Sequence, residues 1–280
     1  MCFTAIVPTE LRFRGRAVAP SGFKFYSHPH SSFQKNSERQ SSPSFTQATL
    51  RFEKYLASGN IWDFWLCHHS TYGKVVLKVV DERDPPCINP YYDEYIDSLE
   101  IIEHALQEEE LLMDELRDLQ GIVVPKYYGM YQSETLGPNL DIPYLAMLLE
   151  YAGNPLGPGF IDLHEDWLNK VYEAYRAIHT RGVIHGDICT RHVLYDEYGR
   201  IRLVSFRRSD SVDMKNFMDV HRTVMEAAIV RTRFGFHEPE SLDMSKEVPD
   251  YAAQLDDPDK FIDSLRKKEQ TNIEVGSVSE

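Results

Sequence analysis

Apolar and polar residues follow one another in short strand-like runs over residues 50–56, 61–69 and 74–81, and the turn formers Ser58-Gly59-Asn60 and Thr71-Tyr72-Gly73 separate them. This spacing predicts three strands in an antiparallel meander. After a Pro-rich link at 84–90, the spacing changes. Ile96, Leu99, Ile102, Leu106, Leu112, Met113, Leu116 and Leu119 recur at helical intervals and predict a helix within 91–119. Two further strands are expected at 123–131 and 144–151, the second preceded by a turn at 139–143. Trp167, Leu168, Val171, Ala174, Tyr175 and Ile178 then mark an amphipathic helix that stops at Arg181-Gly182. Two small strands, 193–195 and 201–206, flank a polar turn, and 212–230 reads as a final helix.

The ends of the chain lack this patterning. Residues 15–48 are rich in Ser, Pro, Gln and basic side chains without a sustained apolar period, so 1–48 is expected to be a flexible leader. Residues 268–280 read as a disordered tail. The remainder, 49–267, reads as one folded domain.

The 280 residues are 42% hydrophobic and 12% aromatic, enough for one large core or two smaller ones. A net charge of -14 argues against a nucleic-acid partner, because such affinity rests on clustered Lys and Arg. Much of the excess is local: residues 93–118 hold eleven acidic side chains against Arg117 alone. That helix is a solvated face or a docking surface for an unknown protein partner. Cys2, Cys67, Cys87 and Cys189 show neither metal-knuckle nor redox-pair spacing, so no metal site is expected and a reducing, intracellular compartment, cytoplasmic or nuclear, fits. No run approaches the roughly 20 apolar residues needed to span a membrane.

Candidate chemistry concentrates in 183–208, Val-Ile-His-Gly-Asp-Ile-Cys-Thr-Arg-His-Val-Leu-Tyr-Asp-Glu-Tyr-Gly-Arg-Ile-Arg-Leu-Val-Ser-Phe-Arg-Arg. His185-Gly186-Asp187 at the end of a predicted helix, followed by two short strands and then Ser205-Phe206, resembles the catalytic loop and Asp-Phe-Gly region of protein kinases. The resemblance covers Arg51 to Arg208. It is supported by Lys78 within Val-Val-Leu-Lys-Val-Val and by the Leu-Gln-Gly…Pro…Tyr-Gly run of Leu119 to Gly129, which is similar to compact kinase-like proteins of filamentous fungi.

The resemblance implies an α+β, two-lobed protein-kinase-like fold, with a five-stranded antiparallel N-lobe sheet plus helix at 49–151 and a reduced, mainly helical C-lobe at 152–267. It assigns Asp187 the position of the catalytic base. Lys78 takes that of the nucleotide-phosphate lysine, paired with a helix glutamate for which Glu109 is chosen between its neighbours Glu108 and Glu110. Gly59 stands for the eroded phosphate loop, and Glu150 and Tyr151 for the strand leading to an adenine-binding hinge. His192 and Ser205 fall where the family places its magnesium-binding Asn and Asp.

ATP is therefore the implied cofactor, while Mg2+ loses both of its usual ligands. Arg191, Arg202, Arg207 and Arg208 cluster near these two positions in sequence, either to neutralise phosphate in place of the metal or as solvent-facing residues of a small hairpin. Glu238-Pro239-Glu240 echoes the end of an activation segment, but with a helix expected just before it the match is read as coincidence, and no set of helices for a peptide-substrate platform is evident after Arg208. The leading expectation is an ATP-binding, catalytically impaired kinase-like protein, a pseudokinase with a regulatory or scaffolding role. The alternatives are an active divergent phosphotransferase acting on a hydroxyl, with Asp196 or Asp210 recruiting the metal, and a nucleotide-free interaction domain.

Overall fold

A computed structural model describes residues 2–6, 12–13, 16–17, 24–28, 48–59, 61–81, 98–134, 144–157, 165–235, 251 and 257–276. The link at 84–90, the turn at 139–143, Glu238-Pro239-Glu240, most of 15–48 and residues 277–280 lie outside these. The chain divides into two compact units, Met1–Met113 with Lys126–Tyr151, and Asp114–Pro125 with Ala152–Glu280.

The first unit contains β1 (Cys2–Ile6), a small hairpin of β2 (Arg12–Phe13) and β3 (Arg16–Ala17), β4 (Lys24–Ser27), β5 (Ala48–Ser58), β6 (Asp63–His69), β7 (Gly73–Asp81), helix α1 (Ser98–Met113), β8 (Tyr127–Ser133) and β9 (Tyr144–Glu150). Seven of these strands close into a barrel in the order β1-β4-β8-β9-β7-β6-β5. Every pair is antiparallel except β1 with β5, which closes the barrel in parallel.

The expected two-lobed fold with a five-stranded antiparallel sheet is thus corrected: the sheet is seven-stranded, mixed and closed. The two added strands, β1 and β4, come from the segment read as a leader. Each turns only one or two side chains inward, Phe3 and Ala5 on β1 and Phe25 on β4, all at most 1% exposed. So short an alternation lies below what a periodicity search detects, yet closure removes the sheet's open edges. Trp65, Leu50 and Leu77 join Phe3 and Phe25 in filling the interior, as in other small barrels.

Strand period also places Lys78. Leu77 and Val79 belong to the barrel core, so Lys78 between them points to the outer face, where α1 supplies its partner. On α1, Ile101, Ala105, Glu108, Glu109 and Leu112 are buried at the 3–4 residue spacing of a covered helix face, whereas Glu103 and Glu110 are exposed.

The second unit contains β10 (Asn154–Pro155), α2 (Glu165–Thr180), β11 (Val183–Ile184), β12 (Val193–Tyr195), β13 (Ile201–Leu203), β14 (Asp210–Ser211), α3 (Phe217–Arg233) and α4 (Pro258–Gly276). The strands form a β10-β12-β13 sheet and a β11-β14 pair. Residues 268–276, expected within a disordered tail, are helical, and Glu269 of α4 binds the buried Arg202 at 2.6 Å. Among the described residues, no helix is long and apolar enough to cross a membrane.

Candidate functional site

The sequence-predicted residues fall into both units, and each unit has its own local chemistry. In the barrel unit Lys78 is 3% exposed. Its ammonium forms an ion pair with Glu108, which is also buried, and lies 4.9 Å from the centre of the Trp62 ring. A buried charge of each sign is tolerable only when paired, and the indole face adds a cation–π contact.

The chosen partner, Glu109, is corrected to Glu108. The two are consecutive on α1 and both fall on its buried face, but a 100° step separates them. Glu109 instead accepts the Tyr127 hydroxyl at 2.8 Å. Burial, and then the adjacent Glu109 carboxylate, push the Tyr127 hydroxyl well above its ordinary pKa.

Gly59 donates its N–H to the Trp62 carbonyl at 2.7 Å, closing the β5–β6 connection. Beside it the Ser58 hydroxyl donates to the buried Asp63 carboxylate, to which the Tyr55 hydroxyl also donates at 3.2 Å. The Gly59 amide is therefore used by the turn. Glu150 accepts the Lys126 amide through its carboxylate at 3.1 Å, and Lys74 sits 3.9 Å above the Tyr151 ring. Both residues thus have local partners.

In the second unit the segment from His185 to His192 is held from several sides. The His185 ring is fully buried, donates from Nε2 to the Val204 carbonyl at 2.9 Å and packs on Phe206 with centres 5.1 Å apart. Burial holds its pKa below the ordinary histidine value, in spite of the nearby Glu226 carboxylate.

Glu226 on α3 is a functional candidate that sequence reasoning missed. Its carboxylate accepts the backbone N–H groups of His185 at 2.7 Å and Gly186 at 2.8 Å, and it meets Nε2 of His179 at 3.1 Å. Burial alone would raise this carboxyl, but His179 and the two amides outweigh it and hold it below its usual range. Tyr251 completes the network at 2.5 Å from Nδ1 of His179. The available signal was a lone carboxylate among Val224, Ala227 and Ala228 on an apolar helix face.

The glycine at 186 has a backbone reason. Its φ is +72°, and a Cβ there would lie 2.2 Å from the Arg208 carbonyl oxygen.

Asp187 is half-buried. One carboxylate oxygen lies 3.8 Å from Nδ1 of His192 and 4.0 Å from the Arg191 guanidinium. Because a carbonyl can only accept, the 2.9 Å contact between His192 Nδ1 and the Asp187 carbonyl places the ring proton on Nδ1. Nε2 then accepts Arg191 Nε–H at 3.1 Å. Ser205 has φ +74° and is the one non-glycine residue with positive φ among those described, an uncommon backbone state for serine.

These residues do not fit Mg2+. The ion takes hard oxygen ligands in near-octahedral geometry, whereas His192 offers an imidazole, which suits softer transition metals, and Ser205 a neutral hydroxyl. Of the four arginines, Arg202 is consumed by the Gly121 and Ile122 carbonyls and Glu269, while Arg191 lies against both His192 and Asp187. Cys189 is no activated nucleophile: burial raises its thiol and Asp187 adds to that, with Arg191 opposing.

A buried Lys–Glu pair and a His-Gly-Asp loop are parts that a kinase-like protein would carry, and comparison with known proteins supports a relationship at that level. The chain is 24% identical to Serine/threonine-protein kinase ppk31 of Schizosaccharomyces pombe over 186 aligned positions, covering 58% of this chain. It spans 17% of that kinase's length. No protein-family model matches the chain.

Proposed function

We propose that this chain is a kinase-related, ATP-binding protein impaired in phosphoryl transfer, acting as a regulator or scaffold. The observation that carries the reading is the chemistry of the two expected metal positions, an imidazole at His192 and a neutral hydroxyl at Ser205, neither of which suits Mg2+. Phosphoryl transfer depends chiefly on positioning and on neutralising phosphate charge, so losing both magnesium ligands removes the main source of acceleration. The buried Lys78–Glu108 pair supports retained nucleotide binding, since it keeps an ammonium fixed at a known strand position. Asp187 would then orient a hydroxyl without a metal-activated phosphate to receive.

Rescue of activity by another carboxylate is disfavoured. Asp196 accepts the amides of Tyr198 and Arg200 and the Arg200 guanidinium, while Asp210 pairs with Arg222 at 2.7 Å. A nucleotide-free interaction domain using the acidic face of α1 is the competing reading.

Thermal melting with ATP, with and without Mg2+, separates the readings, because a ligand that binds the native state raises its stability by about 2.7 kcal/mol at a hundredfold excess over Kd. The expected result is stabilisation by ATP that is indifferent to Mg2+. No shift at millimolar nucleotide refutes ATP binding. Replacing Ser205→Asp and His192→Asn together is expected to make that stabilisation magnesium-dependent.

A further inference from the structure

We propose that Asp187, Cys189 and His192 form a binding site for a borderline-soft divalent transition metal, with Zn2+ the best-matched ion. The inference goes beyond the reading above and does not depend on nucleotide binding. An Asp187 carboxylate oxygen, the Cys189 sulfur and a His192 ring nitrogen all lie within 4.8 Å of one another.

Their convergence has a backbone cause. Thr190–His192 is a single 3-10 turn, and the His192 N–H donates to the Cys189 carbonyl at 3.0 Å. That bond closes the chain from Cys189 to His192 and brings their side chains within reach of one another. Cysteine sequence spacing gives no warning of this, because only one of the three donors is a cysteine.

The donor set selects the class of ion. One carboxylate, one sulfur and one imidazole match zinc and similar transition metals, and they supply a single hard oxygen where Mg2+ needs several. Of the two ring nitrogens it is Nδ1 that lies 3.8 Å from the Asp187 carboxylate, so Nδ1 coordinates and gives up its hydrogen bond to the Asp187 carbonyl, the ring proton passing to Nε2. A cation already sits beside both residues: Arg191 Nε lies 3.1 Å from His192 Nε2, and another guanidinium nitrogen is 4.0 Å from Asp187. Positive charge already touches both groups. The Arg191 side chain is 71% exposed, so its contacts are weak and a divalent ion displaces it readily.

Bonds of roughly 2.0–2.3 Å would bring tetrahedral donors to about 3.3–3.8 Å from one another. Asp187 and Cys189 are only half-buried and can rotate to close that gap. The thiol binds as thiolate, its proton passing to solvent. Three protein donors leave a fourth position for water or a ligand.

Titrating the full chain with Co2+ tests the site by absorption. The expected result is one equivalent giving thiolate-to-cobalt charge transfer, abolished by Zn2+ and unaffected by millimolar Mg2+. Cys189→Ser, close to isosteric at a half-exposed position, should remove the charge-transfer band, and His192→Asn should weaken Co2+ binding on the order of 100-fold. Arg191→Ala should tighten binding several-fold. Absence of the band, or an equal band in Cys189→Ser, overturns the proposal, the latter by assigning the metal to another cysteine.

Discussion

Lys78 and Glu108 are each almost wholly removed from water, so the stability of the barrel unit depends on their staying together. Truncating one partner strands the other as an uncompensated buried charge. Glu108→Ala is expected to cost about 3–5 kcal/mol in urea denaturation, while Lys78→Met with Glu108→Leu should recover most of that loss. If Glu108→Ala proved neutral and Glu109→Ala unfolded the unit, the pairing would be reversed.

His69 gives a second residue-level test. It is 4% exposed and its Nδ1 accepts the amides of Thr71 and Tyr72 at 3.1 and 3.3 Å, a role only the unprotonated nitrogen can fill. Burial, then His68, hold its pKa below the ordinary 6.5. The unfolded chain therefore takes up this proton first as pH falls. The contribution of His69 is complete above about pH 6.5 and is lost as the pH drops through its lower folded value. His69→Asn, whose amide oxygen can replace Nδ1 as acceptor without titrating, should flatten the fall in urea midpoint between pH 7.5 and 5.5.

The barrel's closure depends on its two least conspicuous strands. Phe3 on β1 stacks on Phe25 of β4 at 5.0 Å and meets Tyr131 of β8 edge-on at 4.8 Å, which joins three strands through one side chain. Phe3→Ala should cost about 3–5 kcal/mol. A chain beginning at Ala48 would leave β5 and β8 with open edges and is expected to aggregate, whereas removal of a true leader would leave a well-behaved monomer; gel filtration distinguishes these outcomes. The five strands β5 to β9 were legible because each carries enough patterned positions to register. β1 and β4 were not, because one or two inward residues make no period. Glu108 was legible only to within a helical step, since its neighbour Glu109 falls on the same buried face. Glu226 was invisible to local pattern because its partners His185 and Gly186 lie 41 and 40 residues away and only the fold brings them together. Cys189 stood in plain view beside Asp187, but its convergence with His192 requires the 3-10 turn to be known.

Across the whole molecule, 44 acidic residues face 30 basic ones, and this imbalance makes a prediction that no single contact does. The acidic run on α1 loses Glu108 and Glu109 to the interior, yet Glu100, Glu103 and Glu110 remain exposed on the same helix. At an ionic strength of about 0.01 M the Debye length is roughly 30 Å, so like charges repel across the molecule; at about 0.15 M it is roughly 8 Å and only near neighbours interact. Salt also weakens attractive pairs such as Arg222–Asp210 and Arg181–Asp259. Exposed pairs are worth about 0–1 kcal/mol each, and the contacts that matter most, Lys78–Glu108 and Arg202–Glu269, have their cations buried away from the ions. The repulsive surplus should therefore dominate the response. The melting temperature is expected to rise by a few degrees as NaCl goes from about 0.01 to 0.15 M, equally with KCl, and then to level off. A falling melting temperature over that range would mean that exposed ion pairs stabilise the chain more than its net charge of -14 destabilises it.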